Sequence, residues 1–309
     1  MGEHILVIGA TLLDAKGQPA DGLEPGTSNP AVIRVTRGGT ARNVAENLGR
    51  LGAEVILVSA VGDDLTGQRL VAQTAEASVN VDHVQIINGC ETGAYLAILE
   101  DDGSLSVALD DVRIMNYLTP DYLNRQRRLF RDADMVMMDG SLTPEAMKTI
   151  IRLAATYDVP LCADPSSTRL APKLRPYLSQ IHLVVPNEIE AAALCEVDFF
   201  GFDPDASLDL ARLLVHQDVK NVVISLSDFG LVYATSDETG HIPARYSQIV
   251  DTTGTGDALT AAIIFGLVND LPAIESIRLG AAAASLTLQT AETVVPDLSL
   301  DMLYDHLII

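Results

Sequence analysis

Val250-Asp-Thr-Thr-Gly-Thr-Gly-Asp-Ala-Leu-Thr-Ala-Ala-Ile-Ile-Phe-Gly266 runs an apolar segment into a glycine turn and then into a helix of small residues. Gly254 and Gly256 leave backbone N–H groups uncovered where that helix starts. Uncovered N–H groups and the positive end of the helix dipole make an anion site. Asp257 stands in the first helical turn. A carboxylate beside an anion site suits phosphoryl transfer: it takes a proton from a hydroxyl while the N–H groups stabilise the charge being moved. Asp in a first turn also caps ordinary helices, so the turn alone leaves both readings open.

Asp251-Thr-Thr-Gly-Thr-Gly-Asp257 resembles the C-terminal signature of the ribokinase (PfkB-type) carbohydrate kinases. The resemblance implies that Asp257 is the catalytic base and that Gly254, Thr255 and Gly256 form the anion hole. The family usually has Ala where Thr255 stands, and the exchange keeps the backbone donors. Far upstream, Gly38-Gly39 precedes a helix with Asn43 one turn in. Paired glycines let a ligand approach the backbone, and an Asn offers a donor and an acceptor to neighbouring hydroxyls. A glycine-rich helix start with a surface Asn gives the same pattern. Asp14 follows the apolar run His4 to Thr11, near the carboxyl end of a strand, where ligands gather in open α/β sheets. A solvated loop Asp fits there as well. Together these residues resemble the family's N-terminal signature, which implies sugar binding through Asp14, Gly38, Gly39 and Asn43. Ser28-Asn29-Pro30, Arg42-Asn43-Val44-Ala45-Glu46-Asn47-Leu48 and Pro296-Asp297-Leu298-Ser299 are similar to the pseudouridine kinases of that family.

The chain has 309 residues, 48% of them hydrophobic, enough for one large core or two smaller ones. Strand and helix patterns alternate almost throughout, which predicts one α/β domain over residues 1–309. A net charge of -22 argues against nucleic acid or an anionic membrane as partner. Only four of the twenty basic residues are Lys (Lys16, Lys148, Lys173, Lys220), so phosphate contacts are expected from backbone amides and a divalent cation. Cys90, Cys162 and Cys195 have neither disulfide nor metal-ligand spacing and read as free thiols of a reducing compartment. No signal-like segment precedes His4-Ile-Leu-Val-Ile-Gly and no apolar run reaches membrane length, so a cytoplasmic location is expected. Neither a Walker A loop nor the protein-kinase motifs occur.

Lys16 to Pro30 is polar and rich in Gly and Pro, hence irregular, and Ala31 to Arg37 alternates like a half-exposed strand. Asp101-Asp102-Gly103 between Thr92–Glu100 and Ser104–Leu109 marks a hairpin. With residues 12–37 it could make a small antiparallel sheet outside the main one, of which the sequence alone establishes only the hairpin. The resemblance makes this sheet a lid, formed by about 12–37 and 89–112, that covers the sugar and pairs with its copy in a homodimer. Asp110-Asp111 reads as a loop. The resemblance puts Asp111 near the base of a nucleoside, against a solvated strand end. Tyr95 could stack on that base or pack the lid.

Thr119 to Phe130 reads as one helix. Asp164, at a strand end, could organise magnesium or start a turn. Asn187 and Glu190 share a helical first turn, where one carboxylate acting through water suffices for magnesium, and where a capped helix gives the same spacing. The resemblance implies phosphate and metal binding there, with Asn187 on the nucleotide and Glu190 on the metal. It also lays Ser225 and Gly230 against the nucleotide, with Ser227 and Asp228 where relatives keep small residues. The Ala-rich Ile274 to Gln289 could wall the adenine or pack tightly on the sheet. Asp251 with the 287–293 loop resembles a monovalent-cation site, as for K+.

The expectation is therefore a ribokinase-like α/β fold, a central mostly parallel sheet flanked by helices with a small β-sheet lid. Its activity would be ATP- and Mg2+-dependent phosphorylation of a ribosyl hydroxymethyl group, pseudouridine to its 5′-phosphate in the first place. Ribose or another nucleoside or sugar is the alternative substrate. A non-catalytic sugar or nucleoside sensor is the alternative of a different class.

Overall fold

Strands buried on both faces read as unbroken apolar runs, and β1 (His4–Ile8) is buried at all five positions. The computed structural model describes residues 4–101, 104–199, 201–226, 230–244 and 249–307. The hairpin tip at Asp102-Gly103, the Ser227-Asp228 departure and most of the Arg245 to Val250 segment lie outside the described residues. After β1 come β2 (Leu12–Pro19), β3 (Ala31–Gly38) and α1 (Thr40–Arg50). Gly52, at φ 89°, stands just beyond the C-cap of α1. Then follow β4 (Val55–Gly62), α2 (Leu65–Glu76, capped by Asp64), β5 (Val79–Ile87), β6 (Ala94–Leu99) and β7 (Leu105–Asp111).

The expected helix from Thr119 to Phe130 is broken at Gln126 into α3 (Pro120–Arg125) and α4 (Arg127–Arg131). Phe130 is drawn wholly into the core by this turn. The regular alternation continues with β8 (Ala133–Asp139), α5 (Pro144–Tyr157), β9 (Leu161–Asp164), β10 (Leu183–Val184) and α6 (Glu188–Cys195). Thr143 caps α5 ahead of Pro144, a pairing suited to a helix start. Next are α7 (Pro204–His216), for which the sequence reading had no assignment, β11 (Asn221–Ser225), β12 (Leu231–Thr235) and β13 (Thr239–Ile242). The chain closes with α8 (Thr255–Val268), α9 (Ala273–Thr287) and α10 (Leu300–Asp305).

Among the described residues the main sheet runs β13-β12-β11-β10-β9-β8-β1-β4-β5. It is parallel from β5 to β11 and antiparallel at β12 and β13. The order reverses at β1, which lies between β4 and β8, and such a switch point opens a crevice at the strands' carboxyl ends. One face is covered by α1, α8 and α9, with Val44, Leu48, Leu259 and Ile263 packed on Ile5 and Val7. The other is covered by α3 to α7, with Met147, Ile150, Leu194 and Leu214 on Leu6, Val136 and Val222. No helix among the described residues is long and apolar enough to cross a membrane.

The second sheet, β3-β2-β6-β7, corrects three expectations. It is mixed rather than antiparallel, because β2 and β6 pair in parallel. Both strands leave the carboxyl edge of the main sheet, β2 after β1 and β6 after β5, so they set out in the same direction. Lys16 to Pro19 belongs to β2 rather than to an irregular stretch. Its hydrogen bonds to β3 and β6 override its poor strand propensity. Asp110 and Asp111 end β7 instead of forming a loop.

Candidate active site

Gly254 is the N-cap of α8 at φ 80°, ψ -4°. A Cβ there would collide with the Thr293 carbonyl, so both the backbone angle and the close approach call for glycine. Ala258 N–H donates to the Gly254 carbonyl at 2.9 Å and starts the helix. Thr255 N–H reaches the Thr252 carbonyl only at 3.4 Å, and no described carbonyl accepts from Gly256 or Asp257 N–H. The Thr255 hydroxyl is buried without a hydrogen-bond partner. A turn that leaves this many donors unused, one of them buried, fits an anion that the protein itself does not supply.

Asp257 meets the N-terminal signature directly. Asn43, on α1, donates through Nδ2 to Asp257 Oδ2 at 2.6 Å, across 214 residues of sequence. The Asn43 carbonyl oxygen accepts from the Arg42 guanidinium, which turns the amide's donor side toward Asp257. Asp257 opens to the cavity but is surrounded by protein. Burial pushes its carboxyl up to about 7 against the pull of the Asn43 bond, with the Asp14 charge adding to the rise.

Asp14 is neither solvated nor on a loop. It lies in β2, 5% exposed, with its carboxylate packed on Gly38 so closely that any side chain there would overlap it. Burial raises it to about 6, offset by Arg42 and Lys16. Gly39 caps α1 at φ 91°, against the Ala10 carbonyl. Asp14, Gly38, Gly39, Asn43 and the Gly254–Asp257 turn thus form one constellation.

Two groups in it escaped the sequence reading. Arg42 is fully buried and pairs with Glu46, donates to the Gly38 carbonyl at 3.0 Å and reaches Thr293 Oγ1 at 3.3 Å. It ties Gly38, just ahead of α1, to the loop that packs on Gly254. The Arg42/Glu46 spacing of four was the only trace of this in the sequence. Asp139, at the carboxyl end of β8, is fully buried and accepts from Ala10 N–H at 2.7 Å, Ala41 N–H at 3.2 Å and Ser141 N–H at 3.0 Å. It pins the ends of β1 and α1 together. The rule that drew attention to Asp164 applies to it equally.

Beside Asp257 opens a cavity of about 360 Å³ lined by Asp164, Asn187, Glu190, Ser225, Gly230, Thr255 and Gly256. Its farther wall carries Leu231, Ile242, Ala281, Ala284 and Leu288. The Ala-rich α9 therefore walls this cavity and packs on α8 as well. The buried Ser285 hydroxyl on that wall has no partner. Asn187 and Glu190 form a reciprocal capping box: Glu190 N–H donates to Asn187 Oδ1 at 2.9 Å and Asn187 N–H to Glu190 Oε2 at 3.0 Å. Burial raises Glu190, and raises Asp164 far more, with Glu190 and Asp257 adding like charge. No described residue lining the cavity is Lys or Arg. An oxygen-rich, cation-free site of this kind fits a hard divalent ion that keeps some of its water.

Asp111 stands apart. It is bound by its neighbour Arg113 (Nη2 to Oδ2 2.6 Å) beside a separate opening with Cys90 and Tyr117. Strand register puts Asp14, Tyr95 and Asp110 in one row, hence on one face of the second sheet, and Asp111 on the other. Tyr95 is half-buried and its hydroxyl is raised by burial and by Asp14 and Asp110. Asp251 does not offer a free carboxylate to K+. Both its oxygens accept from Lys16 Nζ at 2.7 Å.

A sequence model described as pfkB family carbohydrate kinase matches residues 3–299. The chain is 33% identical to the pseudouridine kinase of Escherichia coli K12 over 299 residues, covering 96% of this chain and 94% of that one. It is 27% identical to the guanosine-inosine kinase of Exiguobacterium acetylicum, covering 95% and 97%. The structure of Arabidopsis thaliana ribokinase complexed with ribose and ATP superimposes with a TM-score of 0.82 at 22% identity, covering 98% and 99%, a likeness of fold. With the family match running nearly end to end, the chain belongs to the pfkB family of carbohydrate kinases and is an ATP-dependent sugar or nucleoside kinase.

Proposed function

We propose that the protein phosphorylates the 5′-hydroxymethyl group of pseudouridine. The observation that carries the chemistry is the 2.6 Å contact of Asn43 with Asp257, which sets a raised carboxylate at the edge of the proposed sugar site and beside the turn with unused N–H donors. Asp14, Gly38, Gly39 and Asn43 bind and orient the ribosyl hydroxyls. The Asp257 carboxylate accepts the 5′-hydroxyl proton as the oxygen attacks the terminal phosphorus of ATP. The N–H groups of Gly256 and Asp257, with the Thr255 hydroxyl, stabilise the phosphoryl oxygens in flight. The bond from phosphorus to the bridging oxygen breaks, and ADP leaves. Asn187, Glu190 and Asp164 are suited to hold Mg2+ through water, which would neutralise the phosphate charge. Ser225, Gly230 and the α9 wall would hold the nucleotide. Membership in a kinase family sets aside the non-catalytic sensor.

Pseudouridine rests on the 33% relative, and the guanosine-inosine kinase at 27% keeps another nucleoside as the second reading. ADP release is measured with ATP and Mg2+ against pseudouridine, uridine, inosine, guanosine and ribose. Turnover on pseudouridine at least tenfold above the others is expected. A preference for inosine, guanosine or ribose sinks the substrate and keeps the mechanism.

The second sheet would act as a lid and as a dimer surface. Its face opposite Asp14 carries Ile33, Val35, Leu96, Val107 and Leu109, all exposed, between 41% and 70%. A contiguous exposed apolar face of this kind is characteristic of interfaces. Sedimentation is expected to give a dimer, and Val35→Glu with Leu109→Glu a monomer. A wild-type monomer at micromolar concentration would remove the homodimer.

A further inference from the structure

We infer that Lys16 is a built-in cation: its ammonium occupies the place beside Asp251 where a monovalent ion would sit, and locks β2 to the anion turn. Lys16 follows Asp14 by two residues, so both lie on the same face of the same strand. Its Nζ donates to both Asp251 oxygens at 2.7 Å and to the Thr253 hydroxyl. Thr253 N–H closes the group by donating to Asp251 Oδ1 at 2.8 Å. The ion pair is largely buried, at 13% and 18% side-chain exposure. These partners immediately precede Gly254. One side chain therefore spans 235 residues, from the strand that carries the sugar-side carboxylate to the loop that presents the phosphoryl donors.

The contact takes up the side-chain oxygens that Asp251 and Thr253 would offer to K+. The ammonium also supplies the same single charge. Unlike a free ion, it is tethered to β2. The anion turn is then held in place only while β2 is seated over the site, and Lys16 acts as a positioning residue for the transfer step. A lysine in a strand of otherwise poor propensity gains a reason to be there.

The inference rests on the reading of the Gly254–Asp257 turn as the transfer site, and the test separates the two. Turnover of pseudouridine with ATP and Mg2+, and the thermal midpoint of the protein alone, are measured in KCl and in tetramethylammonium chloride at equal ionic strength. Wild type is expected to be unchanged by the exchange in both readouts. Lys16→Met keeps most of the stem and removes the charge. In tetramethylammonium its kcat is expected to fall about tenfold or more, since a misplaced donor loop misaligns transfer, with a smaller change in KM. KCl is expected to restore much of the kcat and to raise the variant's midpoint, because K+ then enters beside Asp251. A general loss of packing would not respond to K+. Wild-type dependence on K+ in either readout overturns the proposal, and so does a Lys16→Met variant indifferent to KCl. Should pseudouridine not be turned over, the thermal midpoints still decide the role of Lys16. The wild-type comparison stands even if the variant does not fold.

Discussion

Asp257→Asn is expected to lower kcat by about 10³-fold, the middle of the range for removal of a general base, with KM for the acceptor changed only a few-fold. The amide keeps the volume and can still face Asn43, so the contact between α1 and α8 is kept. What disappears is the acceptor for the hydroxyl proton. The pH dependence follows from the same environment. Burial holds Asp257 at about 7, so the base is increasingly protonated below that value and kcat/KM of the wild type should rise through about pH 7. Asp14, raised to about 6, adds a second protonation at the acid end.

Stability should move the other way. The folded pKa of Asp257 lies above the ordinary 3.8, so the folded state binds this proton more tightly than the unfolded chain. That contribution to stability is fully present below about pH 4 and is lost as pH rises through about 7. Asp257→Asn removes a costly buried charge, and its thermal midpoint at about pH 8 should equal or exceed that of wild type. A variant that is both inactive and less stable there would point to lost structure rather than lost chemistry. Wild-type turnover would remove Asp257 as base.

The second large effect is expected at Gly254. At φ 80° a side chain costs about 1 kcal/mol, and its Cβ would strike the Thr293 carbonyl. Gly254→Ala must therefore shift the turn. A displacement of about 1 Å in groups that align a reaction costs on the order of 10²-fold in rate, and a loss in kcat of that size is expected. The thermal midpoint should fall by a few degrees, at about 2–4 °C per kcal/mol for a chain this large. Gly256→Ala is the internal control, because a Cβ there meets nothing within 4 Å and its φ is ordinary. It should fold like wild type, with any loss confined to catalysis. Equal destabilisation by the two substitutions would contradict the account of the turn.

The two glycine turns were legible in the sequence because backbone exposure at a helix start is a local property. Gly39 and Gly254 both stand at positive φ at the N-cap of a helix. The parallel core was legible for a similar reason: strands buried on both faces cannot hide their apolar runs, such as Ile5 to Ile8 and Met135 to Met138. The second sheet was read less well. Lys16 to Pro19 has little strand character of its own, and β2 is a strand because β3 and β6 pair with it on either side. The direction of that pairing depends on where β1 and β5 end, which no local pattern records.

The sequence by itself determined the class of the fold, the order of its elements and the two turns that carry the family's signatures, since hydrophobic period and glycine placement act over a few residues. Only the tertiary structure decided which side chains meet. It put Asn43 against Asp257, turned Asp110 rather than Asp111 to the face of Asp14, and buried Arg42 and Asp139 as the ties between loops. It also paired Asp251 with Lys16. Such pairings join residues up to 251 positions apart. They depend on strand register and on the reversal of strand order at β1, and long-range packing alone sets those.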